Sequence, residues 1–386
     1  MTSGNLNTLS GNRLKPFKMG DLQKITSVFC LIFSSILFSQ TQKPQTPQPP
    51  FDYIIEEVTF INKEADNITL AGTLTLPKNI KNPATAILIN GSGGHDRDCT
   101  MMNHKSFWVI ADYLTNNGIA VLRFDERGIA KSEGDFSKAT TFDLANDIES
   151  GIKYLKSRTD IDTSKIGLIG HSEGGLIAPI VASTNTDVAF IIMLAGPGAK
   201  GQHILQSQSE KIAKLQGATD EGIAFNNTLT SIAYKAMFSE TEVEKQKTAI
   251  ETALQNFKNK LDTEDSPFKV YINEYTIKQL KTQLSNPWLQ AFIKTDPKPY
   301  LEKTTCPILV LNGSKDVQVL PEINLPEIEN HLKTAKNKDV TIKLLEGYNH
   351  LFQTAKTGLM DEYFTNKETF SPIVLKIMTD WINARF

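Results

Sequence analysis

The feature that most constrains this 386-residue sequence is the run Lys165-Ile-Gly-Leu-Ile-Gly-His-Ser-Glu-Gly-Gly175. An apolar, strand-like stretch enters Gly170-His171-Ser172-Glu173-Gly174. A stretch of small and aliphatic residues, Gly174 to Ala182, leaves it with helical character. A chain that passes from strand to helix in so few residues crowds its own backbone, so side chains at 170 and 174 would collide with neighbouring main chain. Glycine at both positions permits the turn. Ser172 is then held exposed and strained at the positive end of the following helix, where its hydroxyl is a candidate nucleophile.

Such a turn needs a sheet to carry its strand, and the surrounding pattern supplies one. Tyr53 to Phe60 and Ile68 to Leu76 predict an antiparallel hairpin ending at Pro77. Ala84 to Ile89 is a near-continuous apolar run, as expected of a strand covered on both faces. Phe107 to Thr115 reads as helix, Ile119 to Phe124 as strand, Thr141 to Leu155 as amphipathic helix and Val188 to Leu194 as strand. This alternation implies an α/β architecture, a mostly parallel sheet with helices on both faces. From Gly198 to about Tyr300 the alternation stops and charged helical stretches such as Glu240 to Leu261 take over. Strand patterns resume at Cys306 to Leu311 and Val340 to Leu345, and a last helix runs from Pro372 to Ile382. Residues 199–300 therefore read as a helical cap inserted between two parts of one core, 53–198 and 301–386.

Arg13, Lys15, Lys18 and Lys24 precede an apolar run from Ile25 to Phe38, and polar Ser39, Gln40 and Thr41 follow it. That order predicts a secretory signal peptide over residues 1–40 and a secreted or periplasmic product. Met19 as the start would give the signal a more usual length. The apolar run is about 14 residues against the ~20 that span a bilayer, so no stable membrane insertion is expected once the signal is removed. Phe29 stands before Cys30 where a lipoprotein signal wants a small residue, which argues against lipidation. Residues 41–52, with Gln42-Lys-Pro-Gln-Thr-Pro-Gln-Pro-Pro50, read as a Pro-rich linker. A formal net charge of -2 gives the counterion-release effect little to work with, so no nucleic-acid partner is expected. Cys30, Cys99 and Cys306 fit neither a disulfide framework nor a metal site. A Cys99–Cys306 bridge stays open at this point, since it needs Cα atoms within ~7 Å.

A serine hydroxyl needs a base within hydrogen-bond reach. On strand-turn-helix elbows of this kind the chain order is nucleophile, acid, histidine, so the base belongs near the C-terminus. His350, in Gly347-Tyr-Asn-His-Leu-Phe352, follows the strand ending at Leu345 and lies in a loop; His331 competes but sits in a helical run. His171 adjoins the nucleophile, yet neighbouring side chains on such a turn diverge, and it reads as a packed histidine. Asp316, in Asn312-Gly-Ser-Lys-Asp316, follows the preceding strand and is the expected partner of His350, with Glu322 as fallback. The loop Asn90-Gly-Ser-Gly-Gly-His-Asp-Arg-Asp98 lets backbone N–H groups approach a substrate. The oxyanion hole is accordingly assigned to the N–H of Glu173 and an N–H of this loop, that of Ser92 in preference to Gly93. A phosphate-binding reading of the loop lacks the Lys-Ser/Thr ending. Asp96, Arg97 and Asp98 are expected to form a local ion-pair network, as are Asp125 and Arg127.

With these residues placed, the sequence resembles bacterial α/β-hydrolases of the cap-bearing branch near serine aminopeptidases, dienelactone hydrolases and acyl-CoA thioesterases. The resemblance runs from about Tyr53 to the C-terminus. It rests on the segments 90–98, 121–134, 167–175, 306–319 and 346–353. It implies the α/β-hydrolase fold and the same nucleophile, acid and base, acting on a small-molecule ester or acyl substrate without metal or organic cofactor. Carboxylic-ester hydrolysis through an acyl-enzyme on Ser172 is the expected reaction. Peptidase or thioesterase chemistry would use the same residues, although no amine-recognising carboxylate cluster is visible. A binding scaffold without activity would lack one of the three residues, and none is missing. On the cap, Trp288 and Phe292 are expected either to line an acyl pocket or to serve as core.

Overall fold

The computed structural model describes residues 43–386; the signal-peptide reading of residues 1–40 lies outside the described residues. The strands are β1 (Tyr53–Asn62), β2 (Ile68–Pro77), β3 (Thr85–Ile89), β4 (Thr100–Met101), β5 (His104–Lys105), β6 (Ala120–Phe124), β7 (Ile166–His171), β8 (Val188–Leu194), β9 (Ile308–Gly313) and β10 (Val340–Leu345). Eight of them form one sheet in the order β1-β2-β6-β3-β7-β8-β9-β10. The ladders are parallel from β6 across to β10 and antiparallel at β1/β2 and β2/β6. The sheet is thus the mostly parallel one that the strand-helix alternation predicts.

Burial explains why the central strands read as unbroken apolar runs. Every residue of β3, β6 and β9 is buried, because both faces of the sheet are covered. Alternate residues feed two separate cores. Ile87, Leu122, Leu168, Ile191 and Val310 pack with Leu144, Ile148 and Ile152 of the Thr141–Lys156 helix and with Leu176 and Ile177 of the Glu173–Ala182 helix. Leu88, Val121, Ile169, Ile192 and Leu309 pack with Phe107, Ile110 and Leu114 of the Ser106–Asn116 helix and with Val374, Met378 and Ile382 of the Pro372–Asn383 helix. β1, at one edge, alternates between buried and exposed positions. Between β8 and β9 the chain forms helices at Gly201–Leu215, Asp220–Phe238, Val243–Asp262, Glu274–Gln283, Pro287–Lys294 and Lys298–Leu301. This cap has a core of its own, which includes Leu229, Met237, Ile250, Leu254 and Ile277.

Four features differ from the sequence reading or resolve what it left open. Residues 43–50 are docked rather than free. Lys43 Nζ donates to the carbonyls of Phe364 and Asn366 at 2.9 and 2.7 Å. The Gln45 amide donates to Phe370 O at 2.9 Å and accepts from the N–H groups of Phe370 and Thr369. These bonds satisfy main-chain groups of the loop before the last helix, which composition does not report. The ion pairs of Arg97 and Asp98 reach outside their own loop rather than closing it. Arg97 pairs with Asp125 and Glu57, each at 2.8 Å. Asp98 pairs with Arg123 and Lys105, and Arg127 with Asp147 at 2.7 Å. Asp96 instead caps its own turn, accepting from the N–H groups of Asp98 and Thr100. Cys99 and Cys306 are both free thiols that pack against opposite faces of the sheet. Finally, β4 and β5 form a two-residue hairpin that no sequence period announces, turning at Met102 and Asn103 with φ of 51° and 66°. Among the described residues no helix is long and apolar enough to cross a membrane.

Candidate active site

Ser172 occupies the turn between β7 and the Glu173–Ala182 helix with φ 55° and ψ -118°. Its N–H donates to Leu194 O at 2.8 Å, which ties the turn to the end of β8. The two glycines are compulsory: a Cβ on Gly170 would stand 1.9 Å from Gly174 O, and one on Gly174 would stand 2.2 Å from Ile89 O. Packing of the whole sheet end therefore forces the strained serine. The loop after β3 lies directly against it, since a Cβ on Gly91 would be 3.0 Å from the Ser172 Cβ.

His350 and Asp316 come from the loops after β10 and β9. His350 Nδ1–H donates to Asp316 Oδ2 at 2.8 Å, and the two side chains are 4% and 0% exposed. The other carboxylate oxygen, Oδ1, accepts from the N–H groups of Gln318 and Val319 at 2.8 and 2.9 Å. These donors lock the carboxylate. With Nδ1 committed, Nε2 is the ring nitrogen left with a lone pair. The loop is shaped by Asn349, whose Oδ1 accepts from the N–H groups of Leu351 and Gln353.

His171 joins this pair to the elbow. Its Nε2–H donates to the carbonyl of His350 at 2.8 Å, and the two imidazoles lie 4.8 Å apart. Burial first, and the neighbouring His350 second, push its pKa down to about 3, so it is a neutral donor. His331 lies on the Pro321–Thr334 helix, 3.5 Å from Glu302 and 3.6 Å from Glu327. Glu322, the fallback acid, is exposed and 3.8 Å from Lys211.

Glu173 has two roles to distinguish. Its N–H opens the helix, where first-turn N–H groups have no intrahelical acceptor. Its carboxylate turns inward and is 1% exposed. There it accepts from Thr141 Oγ1 at 2.7 Å and from the Trp288 indole N–H, whose nitrogen is 2.9 and 2.8 Å from the two oxygens. Ser92 lies beside it, close enough to favour its charged form. Burial raises its pKa above the usual carboxylate range. Nearby Glu126 is raised further, again by burial, and accepts from the N–H of His95 at 2.7 Å. Trp288 stacks on Phe292 at 5.7 Å, and Phe292 is buried in the core beneath the sheet face. Sequence reasoning brings Ser172, Glu173, Ser92, His350 and Asp316 to this end of the sheet, but it misses Thr141, the His171 bond and the Trp288 bond. The Asp316 turn had a readable signal, because aspartate commonly accepts from N–H groups two and three residues on.

Residues 102–354, well over half the chain, match the family model described as serine aminopeptidase, S33. The chain belongs to that family and, with it, to the α/β-hydrolase superfamily. Esterase EstD of Thermotoga maritima is 24% identical over 321 residues, covering 82% of this chain and 66% of its own length. The chain thus spans a little under two thirds of that relative. Among solved structures, the Pyrococcus furiosus esterase Pf2001 matches with a TM-score of 0.51 at 14% identity, over 89% of this chain and 99% of that one. The α/β hydrolase GrgF from Penicillium sp. sh18 matches with a TM-score of 0.52 at 17% identity, over 86% and 98%. Both likenesses speak to the fold.

Proposed function

We propose that this protein hydrolyses carboxylic esters of small molecules through an acyl-enzyme on Ser172. The observation that carries the reading is the dry His350–Asp316 hydrogen bond at 2.8 Å, held against the elbow by the bond from His171 to the His350 carbonyl. In the proposed reaction Ser172 Oγ attacks the acyl carbonyl while His350 Nε2 takes its proton. Asp316 fixes the tautomer and stabilises the imidazolium. The tetrahedral oxyanion accepts from the N–H groups of Glu173 and Ser92, collapse expels the alcohol with the proton from His350, and water repeats the sequence on the acyl-enzyme. Similarity to an esterase, EstD, supports ester over amide. So does the state of the buried carboxylates nearest the elbow. Glu173 and Glu126 are engaged by Trp288, Thr141 and the His95 N–H, so neither is offered to a substrate amine.

The test is a panel of p-nitrophenyl esters, aminoacyl anilides and acyl thioesters turned over by wild type and Ser172→Ala. Ester turnover is expected to fall about a thousandfold or more in the variant. Turnover of anilides alone would replace the ester reading with a peptidase, and an undiminished Ser172→Ala would remove the site.

A further inference from the structure

The residue after the nucleophile is usually considered for its N–H, yet in this chain its side chain is the better connected group. The Glu173 carboxylate joins three segments, its own helix, Thr141 at the start of the Thr141–Lys156 helix, and Trp288 on the cap helix Pro287–Lys294, and Ser92 on the loop after β3 lies beside it. Glu173 and its neighbour Ser92 carry the N–H groups assigned above to the oxyanion hole, and Trp288 belongs to the cap. A buried carboxylate tolerates few missing donors, because each unpaired oxygen keeps its desolvation cost without recompense. Lifting the Pro287–Lys294 helix would take away the indole N–H that touches both oxygens. The carboxylate would then turn toward water, and the first turn of its helix, which presents the Glu173 N–H, would lose its anchor on the cap.

We propose that Glu173 is a positioning residue that couples the cap to the oxyanion site: Trp288 docks on its carboxylate when the cap is down, and that docked carboxylate, held also by Thr141, in turn fixes the first turn of its helix and with it the Glu173 N–H. The inference rests on the ester-hydrolase reading. It assigns Trp288 a role different from a pocket wall. The indole is a latch, and its stacking on Phe292 at 5.7 Å, with Phe292 itself buried, fixes the angle at which the N–H is presented. The Asn286 side chain accepts from the Leu289 N–H at 3.0 Å and caps this helix, so the latch sits on a defined first turn.

Trp288→Phe keeps the stack and removes only the N–H. With a p-nitrophenyl ester, kcat is expected to fall at least fivefold with KM within twofold. Inhibition by an aryl trifluoromethyl ketone, which forms a tetrahedral adduct on serine, is expected to weaken by a similar factor. Glu173→Ala should lower kcat more, Glu173→Gln should recover part of it, and Trp288→Phe should have no further effect in the Glu173→Ala background. Wild-type kcat and ketone inhibition in Trp288→Phe would overturn the coupling, as would effects that multiply independently in the double variant. Should Glu173→Ala not fold, Trp288→Phe and Glu173→Gln carry the test alone. Ser172→Ala separates the two claims. If it stays active, the hydrolase reading falls. If it is inactive while Trp288→Phe matches wild type, that reading stands and the latch falls.

Discussion

The sheet body and the cap are both helical on the outside and apolar within, but they specify their structures differently. At the elbow of the body, backbone approaches are so close that single atoms decide the sequence: Gly170, Gly174 and Gly175 sit where any Cβ would meet main chain at 2.6 Å or less. Near the elbow, ions are dry and paired across long sequence separations, as Arg127 is with Asp147 and His350 with Asp316. Within the cap, Gly201 is as tightly held, with a Cβ there 1.8 Å from Phe292 O, but the turn between the Gly201–Leu215 and Asp220–Phe238 helices is open enough that a Cβ on Gly217 would meet nothing within 4 Å. Many of its ion pairs, such as Lys245–Glu242, Lys247–Glu244 and Lys258–Asp262, are short-range and lie at the surface, a kind that contributes little to stability. The elbow is therefore built to hold atoms in fixed places, whereas the outer turns of the cap need only a core and a point of attachment.

The sharpest way to break that contrast is to put the same methyl group into each region. Gly170→Ala should cost more than about 4 kcal/mol or abolish soluble expression, since the new Cβ cannot share space with Gly174 O. Gly217→Ala should cost only about 1 kcal/mol, the penalty of a left-handed φ of 87° for a residue with a side chain. Urea unfolding of the two variants checks this, and similar losses would mean that the elbow is not specially constrained. Next in size is Leu254→Ala in the cap core, where a fully buried side chain is removed at a cost of about 2–4 kcal/mol. Hydrogen exchange should then rise in residues 220–284 while protection in β3, β7 and β9 is unchanged. An equal rise in the strands would show that cap and body unfold as one unit.

The same contrast governs what the sequence discloses. The elbow, Asp316 and His350 are legible because their constraints are local: a tight turn needs its glycines, and each loop follows a strand whose apolar run is unmistakable. The period-2 alternation between the two cores is hidden within β3 and β6, since both faces are buried and no polar residue marks the phase. The Glu173–Trp288 bond is invisible for another reason. It joins residues 115 apart, and its existence depends on how the cap returns to the sheet, which no local pattern encodes. Composition likewise misjudges residues 43–50. Prolines describe a stiff segment, but the docking is done by Lys43 and Gln45 against carbonyls and N–H groups more than 300 residues away.

The smallest expected effect concerns protons, and it follows from how dry the body is around the elbow. His171 is kept neutral, with its pKa pushed from 6.5 to about 3 by burial and by His350, whereas in the unfolded chain it takes up a proton near pH 6.5. Between those values the unfolded state binds more protons than the folded one. Stability therefore rises with pH, is fully present above about 6.5, and is lost progressively as pH falls toward about 3, with a slope of up to about 1.4 kcal/mol per pH unit. His171→Gln removes the titration while an amide N–H can still reach the His350 carbonyl. Wild type should lose about 1 kcal/mol more than this variant between pH 7.5 and 5.5, as read from urea midpoints. Parallel pH profiles would mean that the imidazole accepts its proton in place. The bond that aligns His350 with the elbow would then come from a cation, and the environment around Ser172 would be wetter than its packing implies.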